Sequence, residues 1–225
     1  MSLRIIGGEY GGRSLKAVRG LGTRPLLGQV REAVFNILGS SLEGAFVWDL
    51  FAGTGASGVE SLSRGAARVL FVEKNRKAID ILRDNLESLG DDAVDSSVVV
   101  KADAWDPPVM HRSLFGAARD GDAADPDAAS DAEVAPDVVF LDPPYAMVAE
   151  DPVKSVARAR ALMDRVAAGG CVLFHFESGA LDEDDFDDDL DVDLREWGSS
   201  VIAMLWRQGE APEVVHKRRA KARES

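Results

Sequence analysis

The sequence has a single cysteine, Cys171, and three histidines among 225 residues. One thiol excludes a disulfide framework within the chain and a metal site built on cysteines. His111 and His216 stand alone, without metal-ligand spacing, so no metal is expected. Long hydrophobic runs are also missing. No stretch nears the roughly 18–20 apolar residues that span a bilayer. The opening Met1-Ser2-Leu3-Arg4-Ile5-Ile6-Gly7-Gly8 lacks the apolar core of a signal peptide. The expectation is a cytoplasmic protein without membrane contact. Hydrophobic residues make up 46% and charged residues 29%, as in ordinary globular proteins. The length suits one well-cored domain with a small appendage.

Basic charge is in short supply overall, with a net charge of −13, but its distribution is uneven. Residues 120–137 hold seven acids and no bases, and residues 181–193 hold nine acids and no bases. Without those sixteen acids the remainder carries +3. Residues 1–35 carry +4 and the tail 207–225 carries +3. Basic ends beside acidic internal segments are compatible with a polyanion bound at the ends. Charge runs are more often solvated loops.

The pattern along the chain divides it. Arg4-Ile5-Ile6 and Ser14 to Val18 are strand-like, with Gly7, Gly8, Gly11 and Gly12 between them, which predicts a hairpin. A helix is predicted near 26–38, with Val30, Val34, Ile37 and Leu38 on one face. From Phe46 onward, apolar strands alternate with helices. Strands are expected at 46–51, 68–72, 98–100, 138–141, 171–176 and 201–206, and helices at 57–63, 76–89 and 152–168. Strands apolar on both faces, alternating with helices, mean a mostly parallel sheet covered on both sides. The last two strands are joined by the acidic loop and a Gly198-Ser199 turn, and should pair antiparallel. Residues 106–136 break the rhythm with a short helix candidate near 110–118 and an Asp/Ala-rich stretch, read as a mobile insertion. The predicted organisation is a hairpin and helix over 1–40, a main domain over 41–207 with an insertion at 120–137, and a basic tail over 208–225.

Two segments carry chemistry. Asp49-Leu50-Phe51-Ala52-Gly53-Thr54-Gly55-Ala56-Ser57-Gly58 follows a strand and opens a helix, satisfying G-x-G-x-x-G in its required context. Glycines there allow a tight turn and close approach of a nucleotide. Glu73, twenty residues after Gly53, ends the next strand, where a carboxylate can accept both ribose hydroxyls. Together these indicate an adenosine-containing cofactor and do not choose between a dinucleotide and S-adenosylmethionine. Asp142-Pro143-Pro144-Tyr145 directly follows another strand and should face the same crevice. A purine exocyclic amine is a poor nucleophile because its lone pair is delocalised into the ring. Two acceptors gripping its N–H groups draw the nitrogen toward tetrahedral geometry. Asp142 supplies a carboxylate and Pro143 a carbonyl, aimed in advance because both prolines fix φ. Tyr145 offers a ring on which an unstacked base can lie. Asp103, after the third strand, is placed to hydrogen-bond an adenine amine. Cys171, His175, Trp48, Trp197 and Trp206 are expected to be packing residues, and Trp105 either lines the adenine pocket or packs in the core. The Lys217-Arg218-Arg219-Ala220-Lys221 tail could touch phosphates.

On Asp-x-Phe-Ala-Gly-Thr-Gly, Glu73 and Asp-Pro-Pro-Tyr, the chain resembles class I S-adenosylmethionine-dependent methyltransferases acting on exocyclic amines. Arg4-Ile5-Ile6-Gly7-Gly8, Tyr10, Gly12-Arg13, Thr23-Arg24-Pro25 and Val30 to Leu38 are similar to the bacterial 16S rRNA guanine-N2 methyltransferases (RsmD type). Where that family usually reads threonine, aspartate and arginine after Arg-Pro, this chain has Leu26, Gly28 and Gln29. The resemblance implies a Rossmann-like sheet of seven strands, one antiparallel, and N2-methylguanine as product. It implies a cofactor site of Asp49, Phe51, Gly53, Thr54, Gly55, Glu73, Asp103, Ala104, Arg24 and Pro25. It also implies RNA contacts from the hairpin region through Arg4, Tyr10, Arg13 and Arg31, with rRNA or an assembling small ribosomal subunit as partner; a monomer is expected. Asp-Pro-Pro-Tyr alone serves equally for adenine N6 in DNA or RNA.

Overall fold

Seven strands form one sheet in the order Ser97–Lys101, Arg68–Glu73, Phe46–Leu50, Val138–Leu141, Cys171–Glu177, Ser200–Arg207, Leu190–Trp197, and a separate two-stranded hairpin lies at the N-terminus. The computed structural model describes residues 3–17, 28–111 and 133–213. Arg24 and Pro25, most of the 110–118 helix candidate, residues 120–132 of the insertion and residues 214–225 of the basic tail lie outside the described residues. The hairpin pairs Leu3–Arg4 (β1) with Ser14–Leu15 (β2). Helix α1 spans Gly28–Leu38.

The first strand of the main sheet, Phe46–Leu50 (β3), is buried at every position, as its unbroken apolar run requires. Ala56–Ser63 (α2) returns the chain to Arg68–Glu73 (β4). Helix Arg76–Leu89 (α3) begins at Asn75, whose side chain accepts from the Lys77 and Ala78 amides. Its buried face is Ala78, Ile79, Leu82, Leu86 and Leu89, the predicted stripe, with Asn85 among them. A short helix, Asp91–Asp95 (α4), leads to Ser97–Lys101 (β5). Val138–Leu141 (β6), Tyr145–Glu150 (α5), Pro152–Met163 (α6), Cys171–Glu177 (β7), Leu190–Trp197 (β8) and Ser200–Arg207 (β9) follow.

β3 pairs in parallel with both β4 and β6, yet the chain leaves it toward β4 and returns on its other side. Ligands in open α/β sheets bind where the strand order reverses, so the carboxyl ends of β3 and β6 mark the crevice. β9 runs antiparallel to both β7 and β8, and is the single reversed strand.

Three elements differ from the sequence expectation. The acidic loop before Gly198 contains a strand, β8, and β9 inserts between it and β7. Leu190, Val192 and Leu194 alternate with Asp191, Asp193 and Arg195, and the aspartates masked this two-residue period. Asp191 is buried because its carboxylate accepts from the Gly209 amide at 2.8 Å. The helix expected over 152–168 stops at Met163, because Arg165 turns away to donate to the Pro107 and Pro108 carbonyls at 2.8 and 3.1 Å. A further helix, α5, starts at Tyr145 itself.

The hairpin is bolted to α2. The fully buried Glu60 carboxylate accepts from the amides of Ile6 (2.7 Å) and Gly7 (3.0 Å) and from Arg64 Nε (2.8 Å). Ser63 Oγ accepts from the Tyr10 amide at 2.9 Å. A side chain on Gly8 would stand 1.7 Å from the Ser63 carbonyl oxygen, so only glycine allows this approach.

Cys171 is buried at the amino end of β7, and burial with Asp137 nearby pushes its thiol up to about 12. A cleft of about 400 Å³ lined by Asp137, Cys171 and Trp206 opens there, at the opposite end from the crevice. Among the described residues no helix is long and apolar enough to cross a membrane.

Candidate active site

The glycine loop after β3 is held in shape by side chains before any ligand is considered. Phe51 has φ 61°, a left-handed conformation that costs an aromatic residue about 1–3 kcal/mol and is tolerated where the surroundings enforce it. Gly53 and Gly55 also have positive φ, at 55° and 88°. The Gly53 amide donates to Glu73 Oε2 at 2.9 Å. Glu73 Oε1 accepts from the Lys74 and Asn75 amides. Asn85, on the apolar face of α3, donates to the Thr54 carbonyl at 2.9 Å and pairs with the Lys16 backbone. Asp49 Oδ2 accepts from the Gly58 amide at 2.8 Å, which fixes the start of α2 against β3. Gly55 and Gly58 allow close packing, because a Cβ would lie 2.3 Å from Leu82 and 2.2 Å from Phe71 respectively.

Gly53 differs. A Cβ there would meet nothing nearer than the Phe51 carbonyl oxygen at 4.0 Å, so this backbone faces open space. That is the exposure a nucleotide needs for close approach. Phe51 packs edge-on against Trp105, with centroids 5.2 Å apart, and Trp105 in turn against Phe174. The Arg158 guanidinium lies 5.0 Å from the Trp105 ring centroid. Asp103 is exposed and accepts from the Trp105 amide at 3.0 Å, while Ala104 is buried.

The edge of the crevice is acidic. Burial raises the Asp49 carboxyl well above its usual value, opposed by the Gly58 amide and reinforced by the charges of Asp142 and Glu73. Glu73 and Asp142, at the ends of β4 and β6, thus add their charges to one field around it. That field favours a cation.

At the end of β6, the Asp142 amide lies 3.4 Å from the Leu50 carbonyl and ties the motif to β3. Pro143 is buried, and Pro144, extended at φ −53° and ψ 133°, starts α5. Among the described residues the Pro143 carbonyl accepts no hydrogen bond. Asp142 Oδ1 lies 2.7 Å from His175 Nδ1. His175 Nε2 lies 2.8 Å from the Tyr145 hydroxyl, which lies 2.8 Å from Ser200 Oγ. The Tyr145 and His175 rings meet edge-on at 5.1 Å. His175 is buried as expected of a packing residue, but it also contacts the site directly. Strand register carries the missed signal. Leu141 pairs with Phe174, so the next residues on each strand, Asp142 and His175, stand side by side.

The expected RNA-contacting residues divide. Arg4 is exposed. Tyr10 is buried, and Arg13 donates to the Ser88 and Leu89 carbonyls, capping the C-terminus of α3. Arg31 is only 2% exposed and donates to the Arg4 carbonyl. Burial lowers its pKa, and among the described residues its Nε and Nη1 make no hydrogen bond. Tyr10 and Arg31 therefore present no side chain at the surface in this arrangement. Sequence could not separate them from Arg4, because basic and aromatic residues look alike whether they cap, pack or bind.

Known proteins share this architecture. The family model described as conserved hypothetical protein 95 matches residues 3–115. YlbH of Bacillus subtilis, provisionally named as an rRNA methyltransferase, is 38% identical over 143 residues, 64% of this chain and 67% of its own. The ribosomal RNA small subunit methyltransferase D of Haemophilus influenzae is 32% identical over 145 residues, 64% of each chain. The Escherichia coli K12 protein of the same name is 42% identical over 87 residues, 39% of this chain and 44% of its own. A solved structure from Escherichia coli, described provisionally as a methyltransferase, superposes with a TM-score of 0.66 at 25% identity, covering 92% of this chain and 98% of that one. The chain belongs to the conserved hypothetical protein 95 family, the methyltransferase family of the ribosomal RNA small subunit methyltransferase D proteins.

Proposed function

We propose that this protein transfers a methyl group from S-adenosylmethionine to the exocyclic N2 amine of a guanine in small-subunit rRNA. One observation carries the reading: Asp142-Pro143-Pro144-Tyr145 and the glycine loop emerge side by side where the strand order reverses. The names of the relatives support ribosomal RNA as the substrate class.

The residues present fit the cofactor. Gly53 leaves its backbone open, Glu73 Oε2 keeps a lone pair beyond the Gly53 amide for a ribose hydroxyl, and the exposed Asp103 would meet the adenine amine. The charges of Glu73 and Asp142 suit a positive sulfur. S-adenosylmethionine supplies a methyl group on a sulfonium and leaves as a neutral thioether. The protein's part is positioning and hydrogen-bond activation. Asp142 and the Pro143 carbonyl each accept an N–H of the amine, so its lone pair turns toward the methyl carbon. The surplus N–H proton passes to Asp142 or to water. Arg24 and Pro25 would complete the cofactor site and Arg4 would meet RNA.

The test offers labelled S-adenosylmethionine with unmodified small subunits, naked rRNA and duplex DNA, then identifies the methylated nucleoside by mass spectrometry. N2-methylguanosine from RNA, lost with Asp142→Ala, is expected. Label in DNA adenine would overturn the substrate assignment. Transfer unaffected by Asp142→Ala would overturn the mechanism.

A further inference from the structure

Resting on that reading of the site, we propose that His175 is a positioning residue for Asp142. Its Nδ1–H holds one carboxylate oxygen, and the other is left for the reacting amine. The directions of the hydrogen bonds follow from what each group can do. A carboxylate only accepts, so His175 Nδ1 is the donor across the 2.7 Å contact. In a neutral imidazole the other nitrogen then accepts, so the Tyr145 hydroxyl donates to Nε2 at 2.8 Å. The Tyr145 oxygen, its proton committed, accepts from Ser200 at 2.8 Å. Every donor in the chain points toward Asp142.

Burial gives the chain a closed end and an open end. His175 and Ser200 are 3% and 4% exposed, whereas the Asp142 side chain is 28% exposed. The four groups sit just past β6, in α5, in β7 and in β9, so no single loop can shift one without the others. An aspartate held only by its backbone would turn about its side-chain bonds and spread its oxygens over several positions. Held by His175, it offers one fixed acceptor beside the Pro143 carbonyl. Displacing such a group by about 1 Å costs on the order of 100-fold in rate.

The experiment compares His175→Asn, His175→Gln and His175→Leu with the wild type. Asparagine places an amide N–H where Nδ1 stands, and glutamine reaches the Nε2 position instead. For His175→Gln and His175→Leu, kcat should fall on the order of 100-fold. For His175→Asn it should fall by less than about tenfold, the worth of one neutral hydrogen bond. KM for RNA and the Kd for S-adenosylmethionine should not move in any variant. Asparagine and glutamine falling together, or losses in Kd and Tm in place of kcat, would overturn the proposal. A second measurement needs no substrate: nitrogen-15 spectra of the histidine rings, of which the chain has three. A protonated Nδ1 and bare Nε2 on His175 are expected, and a protonated Nε2 overturns the chain of donors whatever the activity. A wild type that methylates no offered nucleic acid refutes the functional reading, and the ring spectrum tells that failure apart from this one.

Discussion

Replacing Glu60 with alanine should release the N-terminal hairpin from α2, and the structure sets the scale. Two backbone amides, of Ile6 and Gly7, lose their acceptor, and Arg64, 19% exposed, loses its ion pair. A buried donor left without a partner costs about 1–3 kcal/mol. Both amides are half-buried, so about 1 kcal/mol each is the fitting value. The buried carboxylate's bond to Arg64 adds a further contribution of about 1 kcal/mol. The loss should be about 3 kcal/mol, a large share of the roughly 5–15 kcal/mol that holds a domain folded. At about 2–4 °C per kcal/mol for a chain of this size, Tm should drop by about 6–12 °C. Glu60→Gln keeps one acceptor oxygen and should lose about half as much. Urea and thermal unfolding measure the stability, and trypsin cutting after Arg13 reports the hairpin. A loss under about 1 kcal/mol would be an ordinary surface effect and would refute the reasoning.

Other substitutions test other parts of the molecule. Gly58→Ala drives a methyl to 2.2 Å from Phe71 and 2.9 Å from Val69, so it should destabilise by about 1–3 kcal/mol; a change within about 0.5 kcal/mol would mean the helix shifts freely. Asp49 carries a raised carboxyl pKa, so the folded state binds its proton more tightly than the unfolded chain and stability falls as pH rises above about 4. Asp49→Asn, which keeps an acceptor for Gly58, should remove this slope and gain on the wild type as pH climbs from 4 to 8; parallel Tm curves would contradict it. Arg13→Ala removes the cap on α3 and should cost about 0.5–1 kcal/mol in urea melts, with no change in cofactor affinity. Cys171, with its thiol near 12 and buried, should react with a thiol reagent at pH 8 only as fast as the protein opens; rapid native labelling would show that the cleft beside it admits the reagent.

What was legible in the sequence was what lies along it. The strand, glycine loop and helix around Gly53 form one continuous segment, and their spacing alone gave the loop its place. Asp142 to Tyr145 was equally local. The Asn75 cap and the stripe on α3 needed only neighbours three and four residues away. Contacts between distant residues were not legible. His175 lies 33 residues from Asp142, and only the register of β6 against β7 joins them. Glu60 on α2 reads as a surface acid until the hairpin folds over it. Asn85 reads as a flaw in an apolar stripe until the Thr54 carbonyl is placed beside it. β8 was hidden because aspartate is a poor strand former, and there its burial depends on the Gly209 amide.

The acidic run before β8 bears on how molecules of this protein meet one another. β8 is the last strand of the sheet, and a terminal strand offers its free amides and carbonyls to any neighbour that can extend the ladder. Phe186 anchors the segment in the core while Asp182, Glu183, Asp184, Asp185, Asp187, Asp188 and Asp189 stay exposed around it. Arg160 holds Asp189 at 2.6 Å and keeps the run against α6, at the mouth of that edge. A second copy approaching strand to strand would bring two such runs face to face, on chains that each carry −13. The repulsion acts within about a Debye length, roughly 8 Å at physiological salt, so it rises as the edges near pairing distance. The acidic run that leads into β8 thus guards the edge against pairing with its own kind.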